Sequence, residues 1–188
     1  MCMNIAIIGY GQMGRALSEA VRTRGHRIAA IIDTSSPEAT ANVVSAASLA
    51  DADIAIDFST ASQVVATVKA CMEAGIPLVE GTTGWYAQLK KVHALVTSGT
   101  KKSQVGFLWS SNFSTGVHMY FRIVAAAAAL ANAVDEYDVW GHEIHHVGKA
   151  DSPSGTAKSL EKILLGSIKR KTTVVETRLD RKRKNSEI

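Results

Sequence analysis

An α/β fold built on a parallel sheet is predicted by three features of this sequence. Short apolar runs alternate with helix-patterned stretches through the first hundred residues. A glycine-rich turn of the form G-x-G-x-x-G separates the first apolar run from the first helix pattern. After Ser110 the alternation stops, and one long helix pattern leads into a segment of period-two alternation. Strand–helix repetition at such spacing implies parallel strands with helices on both faces. The change after Ser110 implies a second lobe of α+β character, so the expected units are 1–110 and 111–188.

The elements follow in order. Residues 4–8 read as a buried strand and 13–24 as a helix closed by Gly25. A second strand at 27–32 ends on Asp33, and the Ser-, Thr- and Ala-rich stretch 34–50 reads as loop with some helix. Residues 53–58 form the third expected strand, 62–74 a helix stopped by Gly75, and 76–80 the fourth strand. A helix at 85–96 and a strand at 104–109 complete the sheet. In the second lobe the expectations are a helix at 114–134 and a strand at 137–145. A short helix from Pro153, capped by Ser152, and a strand at 172–178 follow.

The turn Gly9, Tyr10, Gly11, Gln12, Met13, Gly14 carries the first functional signal. The first glycine permits a tight strand-to-helix turn, the second a close approach to a pyrophosphate, and the third close helix–strand packing. Amide groups at the helix start face the phosphates. Asp33 ends the next strand 19 positions beyond Gly14, where a carboxylate for ribose hydroxyls belongs. Together these features predict a Rossmann-type domain for a nicotinamide dinucleotide, NAD or NADP. Two further loops, Asp57-Phe58-Ser59-Thr60 and Gly81-Thr82-Thr83-Gly84, fall at strand ends on the ligand edge of such a sheet. Their small hydroxyl residues suit ribose or pyrophosphate, and equally suit plain turns.

Composition narrows the remaining classes. With 46% hydrophobic and 20% charged residues the chain is typical of soluble globular proteins. The start leads straight into an apolar strand with no basic segment or cleavage site, so no signal peptide is expected. The weakly polar stretch 117–134 is Ala-rich and broken by His118, Arg122 and Asn132, which favours a packed helix over a membrane span. Cys2 and Cys71 form no spacing motif, and a reducing cytoplasm is the expected setting. The net charge of +4 resides in the last twenty residues, which carry eight Lys/Arg and three Asp/Glu, so the remainder sums to −1. No aromatic residue interleaves with those charges, and a solvated tail or strand edge is expected rather than a nucleic-acid surface.

The densest reactive cluster lies at 143–156, with Glu143, His145, His146, Lys149, Asp151 and Ser152-Pro153-Ser154-Gly155-Thr156. Successive strand residues point to opposite faces, so the two histidines have different jobs or the strand ends between them. Histidine can deliver a proton near neutral pH, and lysine adds positive charge. A capped helix beginning at Pro153 presents the amides of Gly155 and Thr156 to an anion. Metal binding by His145, His146 and Asp151 is the rival, but no H-x-x-x-H or H-E-x-x-H spacing is present, and no metal is expected.

The run His145-His146-x-x-Lys149-x-Asp151-x-Pro153-Ser154-Gly155-Thr156 resembles the signature of the 4-hydroxy-tetrahydrodipicolinate reductase (dihydrodipicolinate reductase) family. The resemblance extends to the glycine turn, Asp57-Phe58-Ser59, Gly81-Thr82-Thr83-Gly84 and Ser111-Asn112-Phe113-Ser114, in the family's order. It implies an NAD(P)H-dependent reduction of a small cyclic dicarboxylate in lysine and diaminopimelate biosynthesis. It implies His145 as general acid, Lys149 as a second catalytic group, and His146, Gly155 and Thr156 as substrate contacts. Gly9 to Gly14, Asp33, Gly81, Thr82, Thr83, Ser110, Ser111, Asn112 and Phe113 are the implied cofactor contacts.

Members of that family usually run well beyond 188 residues, so the resemblance also implies a second lobe cut short. The family assembles as tetramers through this lobe, which makes a homo-oligomer the expected state and an unpaired strand edge the expected weakness. Two other readings stay open: a dinucleotide-binding module without turnover, and another two-lobe NAD(P)-dependent amino-acid dehydrogenase.

Overall fold

The computed structural model describes residues 1–98, 105–145, 147, 152–177 and 180–188. Its contacts divide the chain into two compact units, Met1–Asn112 and Phe113–Ile188.

The first unit is a five-stranded parallel sheet in the order β2-β1-β3-β4-β5. The strands are β1 (Asn4–Ile8), β2 (Arg27–Ile32), β3 (Ile54–Asp57), β4 (Leu78–Glu80) and β5 (Phe107–Trp109). Helices α1 (Gln12–Thr23), α2 (Val64–Ala74) and α3 (Leu89–Thr97) connect them. The α/β parallel architecture read from the alternation is thus the one observed. Its chemistry is the expected one: Ile5, Ala6, Ile7 and Ile8 in the central β1 are all buried, as they must be with helices on both faces. One core joins β1 to α2 and α3 through Val64, Val68, Leu78 and Val92, and the other joins β1 to α1 through Ile7 and Val21. Gly75 ends α2 in the left-handed region at φ 71°, which a side chain would strain. The expected helix at 85–96 is split into a short 3-10 turn, Tyr86–Gln88, and α3. Most of the stretch between β2 and β3 is irregular, with one 3-10 turn at Ala47–Leu49 and a bridge from Ile32 to Ala41.

The strand order reverses at β1, whose neighbours are β2 on one side and β3 on the other. The loops that leave β1 and β3 therefore diverge, and they open the crevice in which such sheets bind ligands.

The second unit departs from expectation. Helix α4 (Thr115–Asn132) is capped by the Ser114 hydroxyl, which accepts from the Val117 amide at 3.4 Å. It packs on α5 (Gly155–Ser167). Neither expected strand, 137–145 or 172–178, forms among the described residues; only a bridge between Thr173 and Glu187 does. Long cations take the carbonyls that a ladder would have used. Arg170 donates to the Tyr137 carbonyl and Arg183 to the Val139 carbonyl. Lys171 is buried, 2.6 Å from the Asp138 carboxylate and 2.8 Å from the Glu187 carbonyl. The basic tail is accordingly not a merely solvated one, because part of its charge braces the 137–139 segment.

The cap of α5 also differs. Ser154, not Ser152, is the N-cap: its extended backbone (φ −68°, ψ 164°) precedes the helix and its hydroxyl accepts from the Ala157 amide. Pro153 lies ahead of the cap, so the helix begins two residues later than its position suggested.

Gly14 shows how little room the first loop has. A Cβ there would sit 2.1 Å from the Gly9 carbonyl oxygen, which is backbone and cannot swing aside. Gly14→Ala should lower the unfolding free energy of the first unit by about 1–3 kcal/mol, the usual range for overpacking, as read by urea denaturation. An unchanged midpoint would show that the α1–β1 turn can open at no cost.

Candidate functional site

Three carboxylates, one at the end of each of β2, β3 and β4, organise the ligand edge of the sheet. Asp33 Oδ2 accepts the Tyr10 amide, Asp57 Oδ1 the Ser59 amide and Glu80 Oε1 the Thr82 amide, each at 2.7 Å. Loop amides have no ladder partner, and a strand-end carboxylate satisfies them, from the same strand for Ser59 and Thr82 and from the neighbouring β2 for Tyr10.

The glycine turn is pinned by the first of these. Tyr10 contributes only its backbone to the site, since its ring is 4% exposed and its hydroxyl donates to Ser18 at 3.1 Å. Gly9 has φ 80°, and a Cβ on it would lie 2.6 Å from the backbone of Phe58 and Ser59. Gly11 is the N-cap of α1, with no side-chain cap and no acidic residue in the first turn. A Cβ on Gly11 would meet nothing within 4 Å, so the space before the helix amides is open. Open space, unopposed first-turn amides and a positive helix end fit a pyrophosphate. Gln12 and Met13 lie exposed on that first turn.

Asp33 is held as a carboxylate, down at about 2, chiefly by the Tyr10 amide and then by Ser35. Its Oδ1 also accepts the amides of Ser35 and Ser36, each at 2.8 Å. It therefore braces the turn as well as standing where a ribose hydroxyl would bond. Arg15, in the first turns of α1, stacks its guanidinium 4.9 Å from the Tyr10 ring centroid and pairs with Glu38.

The second loop is fixed from below. Gly81 donates to the Asp57 carbonyl at 2.8 Å, and the Trp85 indole donates to the Thr82 carbonyl at 2.9 Å. Thr82 is 6% exposed, with its hydroxyl 3.5 Å from Asp57 Oδ1, so it turns its polar atoms inward while Thr83 is exposed. A Cβ on Gly81 would strike the Phe58 ring at 2.2 Å. Beyond β5 the Ser110 amide donates to the Glu80 carbonyl at 3.2 Å, and its hydroxyl donates to the Asn112 carbonyl at 2.6 Å. Ser111 bonds the Tyr86 hydroxyl. The structure thus gathers the glycine turn, Asp33, Gly81, Thr82, Thr83, Ser110, Ser111 and Asn112 at one edge of one sheet, whereas Phe113 begins the second unit.

In the second unit, His145 Nε2 lies 2.9 Å from Glu143 Oε1. Glu143 also accepts the Ser154 amide at 3.1 Å and the Ser154 hydroxyl. These contacts, the Ser154 hydroxyl first and His145 next, hold its carboxyl down at about 2. One carboxylate therefore orients the histidine and sits at the start of α5, on the amide and hydroxyl of Ser154. Glu143 and Thr156 line a cavity of about 910 Å3 with Tyr120, Trp140 and Arg183. His146, Lys149 and Asp151 lie outside the described residues. Among the described residues no cluster of three His, Cys, Asp or Glu side chains could hold a metal, and no helix is long and apolar enough to cross a membrane.

Sequence reasoning counted Glu143 in the reactive cluster without giving it a role and passed over Glu80 altogether. Glu80 was visible as a lone acid ending the apolar run 76–80, and Glu143 as an acid two positions before His145, the spacing that puts strand side chains on one face.

The comparisons with known proteins agree with this geometry. Residues 3–113 match the family described as dihydrodipicolinate reductase, N-terminus, and residues 116–188 its C-terminus. The chain is 36% identical to the 4-hydroxy-tetrahydrodipicolinate reductase of Christiangramia forsetii over 87% of its own length and 64% of that protein's. It is 34% identical to the Staphylococcus aureus protein of that name over 99% of its own length and 75% of the relative's. The chain thus spans under two thirds of the first relative and three quarters of the second. A dipicolinate-bound dihydrodipicolinate reductase from Paenisporosarcina sp. TG-14 shares its fold, with a TM-score of 0.69 and 24% identity over 97% of this chain and 72% of that one. Matched by both parts of one family along nearly its whole length, the chain belongs to the dihydrodipicolinate reductase family.

Proposed function

We propose that this protein reduces 4-hydroxy-tetrahydrodipicolinate to tetrahydrodipicolinate with a reduced nicotinamide dinucleotide, in lysine and diaminopimelate biosynthesis. One observation carries the reading: the family match takes in the Gly9–Gly14 turn and the 145–156 segment together. The cyclic dicarboxylate bound by the Paenisporosarcina protein supports a substrate of that class.

The dinucleotide supplies a hydride. The chain's own residues position it and complete the reduction. The α1 amides and Gly11 take the pyrophosphate, Asp33 a ribose, and Gly81 and Thr83 with Ser110 to Phe113 the rest of the cofactor. His145, oriented through Nε2 by Glu143, delivers the proton from Nδ1. Lys149 and His146 add positive charge and hydrogen bonds, and the α5 amides of Gly155 and Thr156 take a substrate carboxylate. Cations and a helix start suit both the dianion and the negative charge that develops on hydride addition.

His145→Ala and Lys149→Ala should each lower kcat by about two decades or more, the scale of a lost general acid, and leave dinucleotide affinity unchanged. Steady-state assays with the cyclic substrate read this, and a near-normal kcat for His145→Ala would refute the assignment.

NADH is the preferred cofactor on this reading. Asp33 stays ionised where a 2′-phosphate would add negative charge, and Arg15 is already paired with Glu38. Fluorescence titration should give tighter binding of NADH than NADPH by about tenfold, and the reverse order would overturn the preference.

A homo-oligomer, a tetramer in the family's pattern, is supported by exposed apolar residues of the second unit. Met119, Ile123 and Leu130 of α4, with Trp140 and Ile144, are between 59% and 79% exposed. Sedimentation should show concentration-dependent association, and Ile123→Lys should weaken it; a monomer at all concentrations would exclude it.

A further inference from the structure

Asp57 and Glu80 are register partners at the ends of β3 and β4, so their side chains leave the same face of the sheet side by side. Both are fully buried, and Asp57 Oδ2 and Glu80 Oε2 have no donor among the described residues. Two buried acids within hydrogen-bonding reach of each other cannot both be charged and unpaired at low cost, and one proton between them turns two orphan acceptors into one hydrogen bond. Asp57 has the richer set of donors, with the Ser59 amide at 2.7 Å and the Thr82 hydroxyl at 3.5 Å. Glu80 has only Thr82 to favour its charge. The proton therefore belongs to Glu80 and the charge to Asp57.

Both acids hold the 81–84 loop. Glu80 accepts the Thr82 amide, Asp57 approaches the Thr82 hydroxyl and its carbonyl accepts the Gly81 amide. We propose that Glu80 and Asp57 share one proton, and that this shared proton keeps the Gly81-Thr82-Thr83 loop in the shape that receives the dinucleotide, with Glu80 as a positioning residue. The inference rests on the cofactor reading above and adds to it a residue that touches no ligand.

The surroundings isolate the effect. Burial first, and then the charge of Asp57, push the Glu80 carboxyl up to about 8, and burial also raises Asp57. The neighbours facing the pair are Ser59 after β3, Thr67 and Cys71 on α2, Thr82 in the loop, and Tyr86 beyond it. Cys71 is pushed up to about 12 by burial and by both acids, and the Tyr86 phenol is raised by burial. None of the groups that shift either acid, among the described residues, is a cation. Among the described residues around the pair, the Cys71 thiol and the Tyr86 phenol are both pushed further from neutrality, which leaves the pair itself to respond to a rise in pH. Protonated Glu80 is the competent form, so competence is full below the pair's upper titration and is lost as pH rises through it. Ionisation sets two buried negative charges against each other under a loop that must accept an anion.

NADH binding to the full chain and to Glu80→Gln, followed by fluorescence between pH 7 and 9, tests this together with the Thr82 amide resonance of the free protein. The wild type should lose about tenfold in affinity over this range, a drop typical of coupled charges, and Glu80→Gln should give a flat profile. The Thr82 amide should titrate in the wild type with a midpoint near that of the affinity loss, and NADH should move that midpoint upward, because linkage is reciprocal. Parallel profiles in wild type and variant, or a Thr82 amide that does not titrate, would overturn the shared proton while leaving the cofactor site intact. Should Glu80→Gln not fold, the wild-type resonance decides alone. A wild type that titrates at Thr82 yet binds neither NADH nor NADPH at pH 7 would overturn the cofactor reading, and the positioning role with it.

Discussion

The ligand edge of this sheet depends on one constraint: a loop that leaves a parallel strand has amides with no ladder to join. Carboxylates at the ends of β2, β3 and β4 meet that need in the same way, each accepting an amide two residues or one strand away at 2.7 Å. The glycine turn and the 81–84 loop, two of the segments proposed for the cofactor, are pinned like this. At Asp33 and Asp57 this bond is charge-assisted, among the stronger hydrogen bonds available to a protein, and it fixes the loop without a side chain filling the cleft.

The same device has two electrostatic outcomes. Asp33 is partly open to water and well supplied with donors, so its charge is favoured and its carboxyl is held down at about 2. Asp57 and Glu80 are buried between strands and helix α2, so solvation is lost and each opposes the other's charge. Position in the sheet decides the difference. β2 is an edge strand and Asp33 after it is half-buried, whereas β3 and β4 are interior strands whose acids are fully buried. The edge carboxylate keeps its charge, while burial pushes both interior carboxyls up, Glu80 to about 8.

The second unit solves the satisfaction problem differently. Around 137–139 the carbonyls find Arg170 and Arg183 instead of a neighbouring strand, and Lys171 reaches Asp138 from a buried position. Lys171 and Arg183 hold the Asp138 carboxyl below its usual range, the Lys171 bond most of all. At the start of α5 a single acid, Glu143, serves both the helix cap and His145. Long side chains reach the Tyr137 and Val139 carbonyls, so these two acceptors are paired without strand regularity.

Periodicity and turn chemistry by themselves determined most of the first unit. Buried runs such as 4–8 have one stable place between two helical layers, and Gly9, Gly14 and Gly75 mark turns that other residues would strain or block. The fingerprint with Asp33, and the unusual spacing from His145 to Thr156, likewise made the cofactor and chemical segments legible, because those functions need fixed local offsets. Tertiary structure alone decided the rest. Strand-like alternation at 137–145 could not say whether a partner strand or an arginine would take its carbonyls, since hydrogen bonding across a sheet is non-local. Ser152 and Ser154 are equally good caps in sequence, and Glu143, eleven residues earlier, is what favours Ser154. That Asp57 and Glu80 face each other follows only from β3 and β4 being neighbours in register. Charge coupling depends on distance and burial in three dimensions, and no local pattern of residues encodes either.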